Sequence, residues 1–406
     1  MNNVLVYDPT AKDSQSKVRG IGRYMQILRE TFPKWYFSPN LQLPISNLPF
    51  EKPQGKQSPT TFINPFFNFL SPPLFIRRKF PKQIAVIHDL IPLKYPEHFP
   101  IGLKGNISVL LNKIALLSYD VVITDSVQSK QDLVAILHIP EKKVKVIYPC
   151  LPAIFNQNCH PEFISGSENK IPKQTFIEKI LNQVQNDSQK VRDYLLYVGD
   201  ATWNKNLVNL AKAIKLQELP CVFVGKVFSK VNKLENKASA VDDFFRLGRP
   251  EGREPTGEKK LSTSVLNNPW NEDLNEFMSL AKDDKRFIFP GFITDEELIQ
   301  LYQNSLCNVL VSRDEGFGFS YLEASNQQCP SILSDIPVFR EISNNKALFV
   351  DPKSPRSIVS AIQSFQNNNV LRNSLIKQSY ERSTIFSQQS LKDQLLSIIS
   401  SLNTEF

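Results

Sequence analysis

The sequence predicts an α/β protein built from two doubly wound parallel sheets. Short apolar runs rich in β-branched residues recur between helical patterns, and such alternation is typical of parallel sheets with crossover helices. The runs fall into two groups separated near residues 150–192. The length of 406 residues also suits two domains, at roughly 100–200 residues each.

Nine runs are predicted to be strands. The first group holds Val4–Tyr7, Ile84–Ile87, Val121–Thr124 and Val144–Ile147, and the second holds Leu195–Val198, Cys221–Val224, Phe287–Phe289, Val309–Val311 and Ser331–Leu333. The apolar stretch 107–124 is interrupted by Asn112, Lys113 and Asp120, so it falls short of the ~20 apolar residues of a membrane span. It is predicted to be a buried helix followed by a strand.

The domain boundaries follow from composition. An N-terminal domain is predicted over residues 1–158 and a C-terminal domain over 193–385, joined by residues 159–192, which are rich in Asn, Gln, Ser and Lys. Residues 228–272 hold a Gly/Pro/Glu/Arg run without an apolar period. Loops of this length are uncommon in compact domains, so both stretches are predicted to be insertions. Residues 386–406 are predicted to form a C-terminal helix that packs back on the N-terminal domain.

The net charge of +8 arises in the first part of the chain. Residues 1–158 hold 19 Lys and Arg against 10 Asp and Glu, which leaves 29 against 30 for the rest. This bias suits an anionic partner such as a phospholipid surface, a pyrophosphate-linked lipid or a nucleic acid, and solubility charge is the alternative. Residues 45–82 are rich in Pro and Phe and end in basic residues; their aromatics either dock at a lipid interface or pack on the core.

The cysteines and the N-terminus restrict the class of protein. Five widely spaced cysteines without a CxxC pair imply neither a disulfide framework nor a zinc cluster. The first residues, MNNVLVYDPT, lack the basic start and apolar run of a signal peptide. A cytoplasmic location is therefore predicted.

The densest chemical signal is SRDEGFGFSYLEA, residues 312–324, directly after the predicted strand Val309–Val311. A strand that ends in a glycine-containing turn and opens a helix presents main-chain N–H groups to an anion or a sugar oxygen. Glu315 and Glu323 are two helical turns apart, so one carboxylate can lie at the helix mouth while the other projects from the same face. Two such acids suit the hydroxyl groups of a nucleotide sugar; two acids on a helix surface are the alternative.

These residues resemble a known family. EGFGFSYLEA, preceded by FPGFITDEELIQLYQNS (289–305) and followed by SDIPVFREISNNKALFVDP (334–352), is similar to the C-terminal half of retaining glycosyltransferases of family 4. Four further blocks are similar to motifs that the same family carries nearer its N-terminus: GIGRY (20–24), HDLIP (88–92), ITDS (123–126) and YVGDATWNKN (197–206). The resemblance covers nearly the whole chain except residues 159–192 and 228–272, and the GIGRY and HDLIP forms look most like mannosyltransferases of surface-polysaccharide synthesis.

The resemblance implies the GT-B fold, in which two Rossmann-like domains face a cleft, the first binding mainly the acceptor and the second mainly the sugar nucleotide. The implied reaction, of the EC 2.4 type, moves a hexose, with mannose favoured, from a nucleotide sugar such as GDP-mannose to a glycan or lipid-linked acceptor, with retention of configuration. No cofactor, metal ion or nucleic acid is expected. The protein is expected to make peripheral contact with the anionic inner face of a membrane.

In the second domain the resemblance implies a role for each matching residue. Lys205 matches the lysine at the donor phosphate, Glu315 the acid near the transferred sugar, and Glu323 the acid that holds the ribose. Many members carry an arginine just after the glycine, whereas this chain has Asp200 after Gly199. Either one cation is missing here, or Arg313 or Arg340 substitutes for it. The remaining donor-binding candidates are Gly316, Phe317, Gly318 and Asn206.

In the first domain, His88 matches the family's histidine near the sugar. Asp89 is expected to orient that imidazole through a carboxylate hydrogen bond. Gly20 and Gly22 are expected to form a flexible loop beside the first strand, suited to a phosphate or an acceptor.

Lys205, Glu315 and His88 are therefore the expected catalytic residues. No carboxylate stands out as a covalent nucleophile, so a same-face displacement is expected in which the donor phosphate accepts the acceptor's proton. No DxD-type pair is evident at a strand end, and a metal-independent reaction is expected. Two alternatives stay open: a sugar-nucleotide 2-epimerase of the same fold, and a non-catalytic nucleotide-sugar-binding subunit. Free-sugar release in place of transfer would indicate the epimerase.

Overall fold

The computed structural model describes residues 3–10, 20–40, 60–156, 194–228, 269–291 and 293–404. The chain forms two compact units: the first comprises Met1–Pro96, Pro100–Ala153 and Ile385–Phe406, and the second comprises Glu97–Phe99 and Ile154–Thr384. Each contains a parallel sheet with helices around it, so the predicted two-domain α/β fold is confirmed. The predicted insertion 159–192 and most of 228–272 lie outside the described residues.

The first unit contains a six-stranded sheet in the order β2-β1-β3-β4-β5-β6. Its strands are β1 (Val4–Tyr7), β2 (Tyr36–Ser38), β3 (Thr61–Asn64), β4 (Lys82–Val86), β5 (Val121–Thr124) and β6 (Val144–Val146). All the strand pairs are parallel. Every residue of β3, β4 and β5 is buried, as expected for a parallel sheet covered on both faces.

In the described part of the first unit, four helices lie between strands: α1 (Ile21–Thr31), α2 (Ile91–Lys94), α3 (Gly102–Leu116) and α4 (Val127–Leu137). The start of α4 is fixed by Ser126, whose hydroxyl accepts a hydrogen bond from the Ser129 N–H. Its end is fixed by His138 in the left-handed conformation, at φ 56°.

The prediction that the apolar stretch from residue 107 begins with a buried helix is wrong, because one face of α3 is exposed. Ile107, Leu110 and Ile114 are exposed, whereas Gly105 and Asn112 are buried. Its inward face combines Leu116 with small and polar residues that allow close approach to the Phe-rich segment before β4.

The Phe-rich segment packs mainly on the core of the first unit. Phe62, Phe67, Phe69 and Phe80 are buried members of one hydrophobic cluster, while Phe66 is exposed. The structure therefore favours core packing over lipid docking for most of these aromatics.

The second unit contains a six-stranded parallel sheet in the order β12-β11-β10-β7-β8-β9. Its strands are β7 (Leu195–Val198), β8 (Cys221–Val224), β9 (Phe287–Ile288), β10 (Cys307–Leu310), β11 (Ser331–Ser334) and β12 (Leu348–Val350). The chain adds β8 and β9 on one side of β7, and β10 to β12 on the other. The point where the direction reverses lies between β7 and β10, and ligands of doubly wound sheets bind at such a point.

Among the described residues, the second unit contains the helices α5 (Leu207–Lys215), α6 (Glu272–Ala281), α7 (Asp295–Asn304), α8 (Phe319–Asn326), α9 (Pro337–Ser343), α10 (Pro355–Asn367) and α11 (Asn369–Ser383). A capping box between Thr294 and Glu297 opens α7. The last helix, α12 (Gln388–Thr404), belongs to the first unit and packs on α1.

Two further findings concern the helices and the cysteines. Within the described residues, none of the helices combines the length and the apolar character that crossing a membrane requires. Cys150, Cys221, Cys307 and Cys329 are buried free thiols.

Candidate active site

The loops that follow β7 and β10 meet at the reversal point of the second sheet. Lys205 closes a short 3₁₀ helix, Trp203–Lys205, after β7, and Glu315 follows β10. The Lys205 Nζ donates to both carboxylate oxygens of Glu315, at 2.8 Å each. The two residues that the sequence analysis assigned to catalysis in this domain therefore form one ion pair.

The two loops are held together by one hydrogen bond between main chains and one from a side chain to the main chain. The Arg313 N–H donates to the Asn204 carbonyl at 2.7 Å, and the Asn204 side-chain amide donates to the Asp314 carbonyl at 3.1 Å. Because Asn204 directly precedes Lys205 and Asp314 directly precedes Glu315, these bonds fix the separation of the ion pair.

Asn206 anchors the same corner. Its backbone is left-handed, at φ 58°, a conformation that asparagine tolerates. Its buried side-chain amide donates to the carbonyls of Val311 and Pro352, each at 2.7 Å. The structure thus gives Asn206, expected among the donor-binding residues, contacts that position the Lys205 loop.

Glu315 is oriented by a second neighbour. The Ser312 hydroxyl donates to Glu315 Oε1 at 2.7 Å, and the Glu315 N–H donates to the Asp314 carboxylate at 2.8 Å. The Glu315 side chain is 10% exposed. A carboxylate with a lysine and a hydroxyl as donors is held in one position, which suits a residue that binds a substrate hydroxyl group.

Gly318 begins helix α8 in a conformation that requires glycine. Its φ is +100°, and a Cβ there would lie 2.8 Å from the Phe339 ring. Because α8 starts at Phe319, Glu315 lies before the helix, at its mouth as expected, but the two glutamates are not separated by two regular helical turns. Gly316 and the buried Phe317 form the turn between Glu315 and the helix.

Glu323 is buried on α8, with 4% of its surface exposed. The Tyr302 hydroxyl lies 3.0 Å from its Oε2 and 3.1 Å from the Ser320 Oγ. The structure therefore contradicts the alternative of a helix-surface acid. A buried carboxylate with a phenol donor is positioned to accept further hydrogen bonds from a ligand hydroxyl.

Of the two arginines considered as substitute cations, Arg313 lies in this corner. Its guanidinium donates to the Trp203 carbonyl and to the Asp273 carboxylate, the latter at 2.6 Å. It also stands over the Trp203 ring, 4.9 Å from the centroid. Arg340 instead pairs with Asp335 at 2.7 Å, and that hydrogen bond lowers the pKa of the Asp335 carboxyl.

His88 lies in the first unit, after β4. Its Nδ1 is 2.6 Å from Asp125 Oδ2, and its Nε2 is 3.0 Å from the Pro65 carbonyl. Burial alone would lower the pKa of His88, but the charge and hydrogen bond of Asp125 and the bond to Pro65 outweigh it and raise the pKa. Both ring nitrogens face acceptors, so the geometry favours the doubly protonated imidazolium.

The carboxylate that orients His88 is therefore Asp125, and the expectation for Asp89 is wrong. The Asp89 Oδ1 instead accepts from the Ile91 N–H at 3.1 Å and supports the start of α2. Gly20 precedes α1 with φ +57°, whereas Gly22 is buried inside α1. The expected flexible loop thus does not include Gly22.

Three partners escaped the sequence analysis: Asp125, Tyr302 and Asp273. Asp125 belongs to ITDS and Tyr302 to FPGFITDEELIQLYQNS, two blocks that were noticed only as a resemblance. Asp273 lies at the start of α6, outside every block. Each contact depends on the fold, and a single sequence does not give it.

The family described as "Glycosyl transferases group 1" matches residues 178–382, which contain Lys205, Glu315 and Glu323. The O-antigen chain mannosyltransferase RfbU of Salmonella typhimurium is 26% identical over 284 residues, which cover 70% of this chain and 61% of that protein. The serotype-specific mannosyltransferase WbdA of Escherichia coli is 35% identical over 80 residues, which cover 20% of this chain and 10% of that protein. The chain thus spans less than two thirds of these relatives.

Solved structures share the fold. The sucrose-phosphate synthase of Thermosynechococcus elongatus superposes with a TM-score of 0.65 at 14% identity and covers 99% of both chains. Anabaena HepE in complex with UDP and glucose superposes with a TM-score of 0.62 at 14% identity, over 98% of this chain and 99% of that one.

Proposed function

The chain belongs to the glycosyl transferases of group 1, and on that premise we propose that it moves a hexose from a nucleotide sugar to a glycan or lipid-linked acceptor in surface polysaccharide synthesis. The Lys205–Glu315 ion pair at the reversal point of the second sheet is the observation that carries the proposal. It combines a cation for a diphosphate with an acid for a sugar hydroxyl.

We assign the donor's parts to neighbouring groups of the second unit. Lys205 and Arg313 meet the diphosphate, together with the main-chain N–H groups at the start of α8. Glu315 binds the transferred sugar and Glu323 binds the ribose. The hydrogen bonds that tie the two loops to each other support this division.

The proposed sugar is mannose and the proposed donor is GDP-mannose. The names of RfbU and WbdA support mannose. HepE, whose fold is similar, has been solved with UDP and glucose, so a uridine donor is the competing choice. The base and sugar are therefore the first variables to test.

The proposed reaction retains the anomeric configuration by displacement on one face of the sugar. Negative charge grows on the leaving diphosphate as the glycosidic bond breaks, and fixed positive groups stabilise that charge more in the transition state than in the ground state. Lys205 supplies such a group. We propose that the chain's own cations suffice without a metal ion, and that added EDTA leaves turnover unchanged.

His88, which the family resemblance associates with the transferred sugar, is proposed to stay a cation throughout the reaction. Its two ring nitrogens face the acceptors Asp125 and Pro65, so it holds its protons and does not serve as a general base. The acceptor's proton is then taken by the departing phosphate. We further propose a cytoplasmic protein in peripheral contact with an anionic membrane, supported by the basic excess of residues 1–158.

A ligand screen followed by a transfer assay tests the proposal. The purified full-length chain is heated with nucleoside diphosphates and their sugars, since a ligand at 100 times its dissociation constant stabilises by about 2.7 kcal/mol. The donor selected is then incubated with lipid-linked acceptor, and the product's anomeric proton is assigned by NMR. A mannosylated, retained product is expected.

Other outcomes would revise the proposal. Release of free sugar without transfer, in the presence of acceptor, would favour the epimerase alternative. Binding without any turnover would favour a non-catalytic subunit. Transfer only from a uridine donor would overturn the assignment of GDP-mannose while leaving the reaction class intact.

A further inference from the structure

Helix α3 of the first unit carries a continuous stripe of exposed aliphatic side chains. Five residues form this stripe, with exposed fractions from 44% to 78%: Leu103, Ile107, Leu110, Ile114 and Leu117. Their spacings are four, three, four and three residues, which places them within about 80° of one side of a helix that turns 100° per residue. Leu117 continues the stripe because its backbone is still helical, at φ −61° and ψ −29°.

The inward face of α3 is polar and small by comparison. Gly105, Ser108, Asn112, Ala115 and Leu116 are buried there, so Leu116 is the one large aliphatic side chain of α3 in the buried set. The Asn112 side-chain amide donates to the Ser71 carbonyl at 2.7 Å and to the Ser108 carbonyl at 2.9 Å. The helix is thus held by hydrogen bonds and close approach, while most of its large aliphatic residues point outward.

The charged side chains of α3 itself have one sign. Residues 102–117 contain no Asp or Glu, and Lys104 and Lys113 flank the stripe on its two sides. The segment before β4 adds the exposed residues Leu74, Ile76, Arg77 and Lys79.

That segment is tied to both the middle and the end of α3. The Asn112 amide bonds the Ser71 carbonyl at 2.7 Å. Arg78 pairs with Asp120, three residues beyond Leu117, at 2.6 Å. The Arg78–Asp120 pair keeps the basic segment beside the C-terminal end of the stripe.

We propose that the α3 stripe is the surface on which this protein docks to an anionic lipid bilayer. The helix lies in the plane of the interface, with its five aliphatic side chains among the upper acyl chains and its lysines at the lipid phosphates. A second copy is the less suitable occupant, because a self-complementary pairing would bring lysines of the same sign together at the edges of the stripe. The inference names the docking site for the peripheral membrane contact proposed above and rests on that part of the proposed function.

Vesicle sedimentation tests the surface directly. The probe is a phosphatidylcholine vesicle with about 30 mol % phosphatidylglycerol, compared with phosphatidylcholine alone. The full chain is expected to bind the anionic vesicle at least about tenfold more tightly, and binding is expected to weaken as salt screens the lysines. Replacing Lys104 and Lys113 by Gln is expected to cost about fivefold per lysine.

The decisive variant is L103Q/L110Q/L117Q, which removes three aliphatic contacts and keeps good helix formers. Its vesicle affinity is expected to fall at least tenfold. The matched control is L216Q/V370Q, which changes two exposed aliphatic residues of the second unit and is expected to bind like the wild type. Equal loss in both variants, or none in the α3 variant, would overturn the proposal.

A second measurement does not depend on a loss of binding. In the L110W variant, emission is expected to shift to the blue with anionic vesicles and to be quenched by brominated acyl chains. An unshifted and unquenched tryptophan on bound protein would place the contact elsewhere and overturn the assignment. Sedimentation equilibrium without lipid tests whether a second copy of the chain binds the stripe instead. If the wild type is a dimer and L103Q/L110Q/L117Q is a monomer, the stripe is a subunit interface and the proposal is overturned.

Thermal shift with the donor separates this inference from the proposed reaction. A variant that loses vesicle binding but keeps donor binding supports the docking surface. Vesicle binding by a wild-type chain that binds no nucleotide sugar would overturn the proposed reaction and leave the docking surface standing.

Discussion

The ammonium group of Lys205 lies 2.8 Å from both carboxylate oxygens of Glu315, across 110 positions of sequence. One of these residues is assigned to the donor's diphosphate and the other to its sugar. A diphosphate that binds Lys205 therefore competes with Glu315 for the same charge. The two ends of the donor are coupled through this pair.

Replacing Lys205 by Ala is expected to lower turnover about 10²–10³-fold, because one fixed donor of charge at the leaving group is lost. Lys205 is 22% exposed and ion-paired, so we also expect a loss of about 1–2 kcal/mol in the free energy of unfolding. Steady-state kinetics with a confirmed donor and acceptor measure the first effect, and urea unfolding measures the second.

Two variants act as controls for that result. Lys205→Arg keeps the charge with altered geometry and should recover part of the rate. Lys212→Gln removes an exposed lysine that pairs with Glu276 at 2.8 Å in the same unit, and it should leave turnover unchanged. Near wild-type turnover of the alanine variant would transfer the cationic role to Arg313.

A double-mutant cycle should reveal the coupling between the two charges. Glu315→Gln and Lys205→Gln are each expected to slow the reaction at least tenfold, and the double variant should be faster than the product of the two losses predicts. The interaction energy expected from kcat/KM is about 1–3 kcal/mol. Strict additivity would show that the ion pair is not part of the reacting arrangement.

Glu323→Gln should weaken donor binding through the ribose. A charged hydrogen bond is replaced by a neutral one, so the Kd of the selected nucleoside diphosphate should rise about tenfold. Its 2′,3′-dideoxy analogue lacks the hydroxyl groups and should bind the wild type and the variant equally well. Calorimetric titration of the four combinations provides the measurement.

Tyr302→Phe is the matched control for Glu323, because it removes the phenol 3.0 Å from Oε2 and keeps the carboxylate. It should lower the free energy of unfolding, and it should change the affinities for the nucleoside diphosphate and its dideoxy analogue equally. An equal loss of affinity for both ligands in Glu323→Gln would indicate disturbed packing in place of ribose recognition.

The His88–Asp125 pair should make stability depend on pH. The pKa of His88 is raised in the folded chain, so between its ordinary value of about 6.5 and the raised value the native state binds a proton that the unfolded chain lacks. The stabilisation is complete below about pH 6.5 and is lost as the pH rises through the folded pKa. Urea unfolding across this range should show a steeper decline for the wild type than for Asp125→Asn. Parallel curves would contradict the role of Asp125.

Gly318→Ala should be costly at the start of α8. The position has φ +100°, and the new Cβ would lie 2.8 Å from the Phe339 ring, so we expect a loss of about 1–3 kcal/mol. Gly102→Ala is the control for backbone strain without a clash, since φ there is +62° and no atom lies within 4 Å of the added Cβ. Hydrogen exchange of α8 measures the stability loss in Gly318→Ala, and hydrogen exchange of α3 measures the loss in Gly102→Ala. Equal losses in the two variants would rule out a contribution from the clash with Phe339.

Some of the strands could be predicted from composition, and others could not. The bounds of β1, β5, β7 and β8 are those predicted from β-branched runs. Strands β2 and β12 were missed because they are three-residue strands at the sheet edges, and β3 was missed because only Phe62 and Ile63 are apolar in it. In α3 the apolar period was visible, but a period does not show which face meets the core.

The site was predictable residue by residue but not as an arrangement. Glu315 and Glu323 stand in a recognisable block, yet the contact of Glu315 with Lys205 follows from the pairing of β7 with β10. The Asp125 partner of His88 likewise follows from the pairing of β4 with β5. A neighbouring carboxylate in the sequence, Asp89, was the wrong choice because its side chain turns to its own helix.

The distance along the chain between Lys205 and Glu315 sets the order in which the molecule matures. A nascent chain that has emerged only to β8 carries Lys205 but lacks β10, the strand that must pair beside β7 before the second charge arrives. Closing so long a loop is slow compared with forming local helices. During refolding, nucleotide binding should therefore recover after the helical signal, and a fragment ending before residue 307 should hold no donor at all.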